Sequence, residues 1–139
     1  IHMRGDLHID PHHCVEDTAI CLGEALRMAL GSKAGIGRYG FSLPMDDARA
    51  RVLLDLGGRS YFKWNVRSLD PAPGGLAQEL FPHFFRSFCH AAACNLHIKA
   101  RGRDSHHTIE AIFKAFARTL RMAVARSGNS LIPSTKELL

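Results

Sequence analysis

The sequence predicts an α+β fold, a sandwich in which amphipathic helices cover one face of a sheet. Three observations carry that expectation. Segments 12–30 (HHCVEDTAICLGEALRMAL) and 106–124 (HHTIEAIFKAFARTLRMAV) match at both histidines, the glutamate and a Leu-Arg-Met-Ala run, which reads as an internal duplication. A short strand-like piece stands before each copy, DLHID at 6–10 and CNLHIKAR at 94–101. Apolar runs also flank the pair Gly57-Gly58, so 50–66 reads as two strands about a turn.

Each element has a local reason. Ile20, Ala25, Leu26, Ala29 and Leu30 in the first copy, and Ile109, Ile112, Phe113, Phe116, Leu120 and Val124 in the second, recur at helical spacing. Asp10-Pro11 and Asp104-Ser105 supply starts, and Gly31 and Gly128 supply stops. Segment 68–75 (SLDPAPGG) is a loop. Segment 76–94 is helical, with Pro82 at a break or in the first turn. The tail from Ser127 lacks periodicity and extends from the last helix.

The chain of 139 residues is 46% hydrophobic and 22% charged, within the range of one soluble domain. It lacks both an apolar run of about 18 residues and the plan of a signal peptide. A net charge of +5 favours anionic partners, but the basic residues are dispersed and aromatics are only 8%, which disfavours nucleic acid and leaves a phosphate ester. Four cysteines without a C-x-x-C pair read as reduced thiols.

Nine histidines are the distinctive feature, and six stand near the two repeats. On a helix, residues i and i+4 share a face, so His12 with Glu16 and His106 with Glu110 can each grip a divalent ion. His13 and His107 project about 100° away and face a second ion. Imidazole with carboxylate suits Mn, Fe, Co, Ni or Zn rather than Ca or Mg. A metalloprotease is disfavoured, because Asp17 and Ala111 stand where H-x-x-E-H needs its second histidine.

The ordered motifs GDLHIDPHHCVEDTAICLGEAL, GIGRYG, PMDDA, DLGGRSY, HFFRSF, NLHI, SHHTIEAIFKAFARTLRMA and PSTK resemble imidazoleglycerol-phosphate dehydratases along essentially the whole chain. The resemblance implies a duplicated half-domain with helices packed on mixed β-sheets, of the ribosomal protein S5 domain 2-like kind. Residues 1–139 are then one domain, with its repeat around 6–31 and 95–125 and the first half lacking its N-terminal strands and helix. It also implies a manganese-dependent hydro-lyase of histidine biosynthesis that converts imidazole glycerol phosphate to imidazole acetol phosphate. Two ions would occupy each composite site, between subunits of a 24-subunit shell. The compartment would be the cytoplasm, or a plastid in a plant, with neither nucleic acid nor membrane as partner.

Carried over by motif, the metal ligands are His12, His13, Glu16, His97 in NLHI, His106, His107 and Glu110. Glu16, Glu110, Lys114 and Asp46 are the catalytic candidates. Arg38, Arg59, Ser134 and Lys136 match phosphate-contacting positions, where guanidinium groups supply paired donors. The family's Arg-x-Thr-x-Glu-Thr segment and Asp-His-Met helix have no counterpart here. Asp104 replaces an Asn, and Glu137 replaces a Gly beside the proposed phosphate site. A metal-binding homologue or fragment without turnover is therefore the alternative reading, and a basic nucleic-acid-binding module a remoter one.

Overall fold

The computed structural model describes residues 1–40, 43–67, 73–126, 128 and 131–136. In chain order these form α1 (His12–Leu30), β1 (Tyr39–Gly40), β2 (Leu43–Met45), β3 (Ala48–Asp55), β4 (Tyr61–Val66), α2 (Leu80–Ala91), β5 (Asn95–Arg101) and α3 (Ser105–Val124). A short 3-10 turn spans Pro73–Gly75. Segment 68–72 of the expected loop, and Glu137, lie outside the described residues. The expected α+β class holds: helices pack on a mixed five-stranded sheet ordered β1-β3-β5-β4, with β2 also paired to β3.

Alternation gives the sheet two unlike faces. Ala48, Ala50, Val52 and Leu54 of β3, with Leu96, Ile98 and Ala100 of β5, are buried under the helices. Arg49 and Arg51 of β3, with Lys99 and Arg101 of β5, point the other way and are exposed. The helices meet through aromatic rings. Phe85, fully buried, touches Trp64, Phe84, Phe113 and Phe116 at centroid distances of 5.0–5.9 Å.

Strand pairing departs from the expected hairpin. β3 and β4 are strands, as the apolar runs require, but β5 lies between them, antiparallel to β3 and parallel to β4. A parallel neighbour needs a long crossover, and α2 provides it between β4 and β5. Segment 6–10 is not a strand. It forms an exposed turn closed by the Ile9 N–H donating to the Asp6 carbonyl at 2.8 Å, with Leu7 and Ile9 in solvent. The last helix stops at Val124, where Ala125 turns extended, ahead of Gly128.

Helix α1 packs on α2 in the same direction, since Glu16 meets His83 near their starts and Gly23 meets Phe88 to Ala92 further on. Its buried positions are the small residues Cys14, Ala19 and Gly23. Ile20, Leu26 and Leu30 are half-buried, while Ala25 and Ala29 are exposed, so the seam is narrower than the apolar spacing implied. Close approach without a side chain at Gly23 is what places the start of α1 against the start of α2.

Candidate metal and phosphate sites

At the shared start of α1 and α2, His12, Glu16 and His83 bring one ligand atom each to within 4.8 Å of one another. His12 and Glu16 come from one face of α1, and His83 from the first turn of α2 next to Pro82. The His83 Nε2 lies 3.2 Å from Glu16 Oε1, yet it is buried and makes no hydrogen bond. The His12 and His83 rings stand 4.5 Å apart. A buried ring nitrogen without a hydrogen bond is costly unless something fills the space beside it. Two imidazoles and a carboxylate fit a divalent transition ion, so the residues present suit the manganese that the resemblance implies.

The second histidine of each pair is held by an aspartate. His13 Nδ1 contacts Asp6 Oδ2 at 2.8 Å, and His107 Nδ1 contacts Asp47 Oδ1 at 2.6 Å. Asp47 also accepts the backbone N–H groups of Arg103 and Asp104. The His107 hydrogen bond and these two amides pull the Asp47 carboxyl down to about 2. The same aspartates push both imidazoles upward. A carboxylate on Nδ1 fixes the tautomer and leaves Nε2 as the free donor, the arrangement that orients metal-ligating histidines.

At the start of α3, His106 Nε2 lies 3.5 Å from Glu110 Oε2, and Lys114 Nζ lies 2.7 Å from Glu110 Oε1. That ammonium holds the Glu110 carboxyl below its ordinary range. Asp104 caps the helix, accepting the His107 N–H at 2.7 Å, so the carboxylate in place of Asn serves as an N-cap. Asp46 occupies a left-handed turn with φ 45°, and its neighbour Asp47 is the residue that touches His107.

Among the described residues, only His12, Glu16 and His83 form such a three-ligand group; His106, His107 and Glu110 do not join it within one chain. His97 stands apart from both sets. It faces the outer side of the sheet, its ring tilted against that of Tyr61 at a centroid distance of 5.3 Å and grouped with Arg51, Lys63 and Lys99. His83 is the residue that sequence reasoning passed over. HFFRSF was among the resembling motifs, but this histidine has no counterpart in the repeat.

The four proposed phosphate contacts do meet. Arg38, Arg59, Ser134 and Lys136 line one cavity of about 700 Å³ with Gly57, Gly58 and Pro133. Arg38 is fixed by Asp55, through Nε to Oδ1 at 2.6 Å and Nη2 to Oδ2 at 3.0 Å, and Nη1 donates to the Pro133 carbonyl at 2.9 Å. Three of its five donors are thus committed, and two stay available to an anion. Residues 131–136 lie back against the body here, rather than extending from the last helix, because Gly35 and Arg38 hold the Leu131 and Pro133 carbonyls.

The family model for imidazoleglycerol-phosphate dehydratase matches residues 1–120. The chain belongs to this family. It is 55% identical over its full length to a histidine biosynthesis bifunctional protein HisB from Spirosoma linguale and 54% identical to one from Stenotrophomonas maltophilia. It spans only 37% and 39% of the length of those two proteins. Among solved structures, the dehydratase from Staphylococcus aureus superposes with a TM-score of 0.82 at 38% identity, covering 90% of this chain and 72% of that one. The enzyme from Pyrococcus furiosus gives 0.77 at 35% identity, covering 92% and 71%. Among the described residues no helix is long and apolar enough to cross a membrane.

Proposed function

We propose that this chain carries the metal and phosphate machinery of a hydro-lyase that dehydrates imidazole glycerol phosphate in histidine biosynthesis, with manganese as its ion. The observation that carries the reading is the buried His83 Nε2, without a hydrogen bond, beside Glu16 and His12. When bound, the ion would polarise the substrate's imidazole and ease loss of a weakly acidic carbon-bound proton. His12, Glu16 and His83 would hold one ion. His106 and Glu110 would grip another, and His13 and His107 would each offer an Nε2 to the ion held by a neighbouring copy, two ions to a composite site in a 24-subunit shell.

The rest falls to side chains of this chain. Arg38, Arg59, Ser134 and Lys136 would bind the phosphate and so fix the glycerol arm relative to the ring. Lys114 sits against Glu110 and can stabilise charge or pass a proton at that carboxylate. Asp46 would act only indirectly, through the turn that positions Asp47.

The test is a dehydratase assay on the purified chain with and without manganese, alongside metal content and assembly mass. Manganese-dependent turnover supports the reading. A manganese-loaded assembly without turnover would give the chain the second role, a metal-binding homologue or fragment, and a metal-free monomer would refute both.

A further inference from the structure

The sheet has a second face that the dehydratase reading leaves unused. β3 and β5 pair Arg49 with Arg101 and Arg51 with Lys99 in direct register, and all four side chains are exposed. None has an ion-pair partner among the described residues. With Pro44, Ala50 and Ala100 they line a groove of about 540 Å³ that contains no carboxylate. It shares no residue with the cavity around Arg38 and Arg59.

Like charges set directly opposite each other destabilise a sheet. Cations often guard an edge strand against stray pairing, but these strands are interior: β3 lies between β1, β2 and β5, and β5 between β3 and β4. Edge protection therefore does not account for them, and a bound anion would. The two rows stand about 7 Å apart along the strands, so a short chain of anionic groups can touch both. Three guanidinium groups favour phosphate oxygens, which they meet with paired donors. A nucleic-acid strand would need a series of stacking rings along the basic rows, and among the described residues the exposed rings of this face, Tyr39 and the Tyr61–His97 pair, stand at the other end of the strands from Arg49 and Arg101.

We propose that the outer face of the sheet binds a short polyphosphate, its phosphates lying across Arg49, Arg51, Lys99 and Arg101. The proposal is independent of the dehydratase reading.

The probe is inorganic tripolyphosphate, titrated by calorimetry into the wild-type chain, the double variant Arg51→Gln/Lys99→Gln and the variant Arg59→Gln. All three keep the metal ligands, so heat from chelation is common to them. The double variant should lose affinity by about tenfold or more, while Arg59→Gln keeps this site, and binding should weaken as salt rises. ATP binding as tightly as tripolyphosphate would mean that the phosphate chain alone is read. Tighter ATP binding, lost in Tyr61→Ala, would place the base on Tyr61. Affinity unchanged in the double variant would overturn the proposal, as would a single-stranded oligonucleotide that binds this face more tightly than tripolyphosphate.

Discussion

Replacing Gly23 with Val should damage both the fold and the metal site, because this residue sets how closely α1 approaches α2. A Cβ at position 23 would stand 2.6 Å from the Phe88 carbonyl oxygen and 2.8 Å from both Ala91 Cβ and Ala92 N. Ordinary contact begins at 3.4 Å, so α1 must retreat by 0.8 Å, the difference between 3.4 and 2.6. Overpacking of this kind costs up to about 3 kcal/mol. The better helix propensity of Val returns only about 0.4 kcal/mol. The net loss of about 2.5 kcal/mol corresponds, for a chain of this size, to a fall in Tm of roughly 10 °C. Glu16 lies about 10 Å up the same helix, so the retreat also separates it and His12 from His83. Thermal unfolding with and without manganese reads both effects: a lower Tm, and a smaller rise in Tm on adding the ion. Ala25→Val, on the exposed side of the same turn, should leave both within about 2 °C of wild type. A Gly23→Val chain as stable and as responsive to manganese as wild type would show that the α1–α2 seam does not position the site.

Further predictions concern the groups around the ligands. Asp55→Asn removes the bidentate anchor of Arg38 and should raise KM for the phosphate substrate roughly tenfold with little change in kcat; an unchanged KM would mean that Arg38 is held without Asp55. Asp47→Asn, which loosens His107, should weaken manganese binding by about 10–100-fold, and isothermal titration would detect its failure to do so. Metal retention should fall with decreasing pH, starting above the ordinary histidine value of 6.5, because Asp6 and Asp47 raise the proton affinity of His13 and His107. In the metal-free protein the sign reverses. A raised histidine contributes stability below its unfolded value and loses it as pH climbs through the folded one, so the apo chain should weaken on the alkaline side while the loaded chain gains.

Much of this was legible in the sequence where the cause is local. Helical spacing, the Asp104 cap and the i, i+4 pairing of His106 with Glu110 all act within one or two turns, and α3 formed as expected. The four candidate phosphate-binding residues, matched by motif, do line one cavity, although Arg38 and Pro133 are 95 residues apart. Reading failed where partners are distant and unpatterned. Alternation marks 6–10 as a strand, but no neighbouring edge receives it, so it closes as a turn. The Gly57-Gly58 pair reads as a hairpin, but β5, which begins at Asn95, 37 positions after Gly58, takes the place between the arms. His83 was missed because a lone histidine on an apolar helix resembles a core residue. Only the parallel packing of α1 on α2 brings it to Glu16. His97 was matched through a short, distinctive motif, and its place on the outer side of the sheet follows from strand register, which the motif does not carry.

Whether His83, together with His12 and Glu16, holds a metal ion is decided by the manganese affinity of the wild-type chain, His83→Asn and His97→Asn, measured side by side by calorimetry and electron paramagnetic resonance. His83→Asn should lose roughly 10-fold or more in affinity and change the manganese spectrum, while His97→Asn should bind as wild type does. Wild-type binding in His83→Asn, with the loss appearing in His97→Asn, would contradict that role for His83.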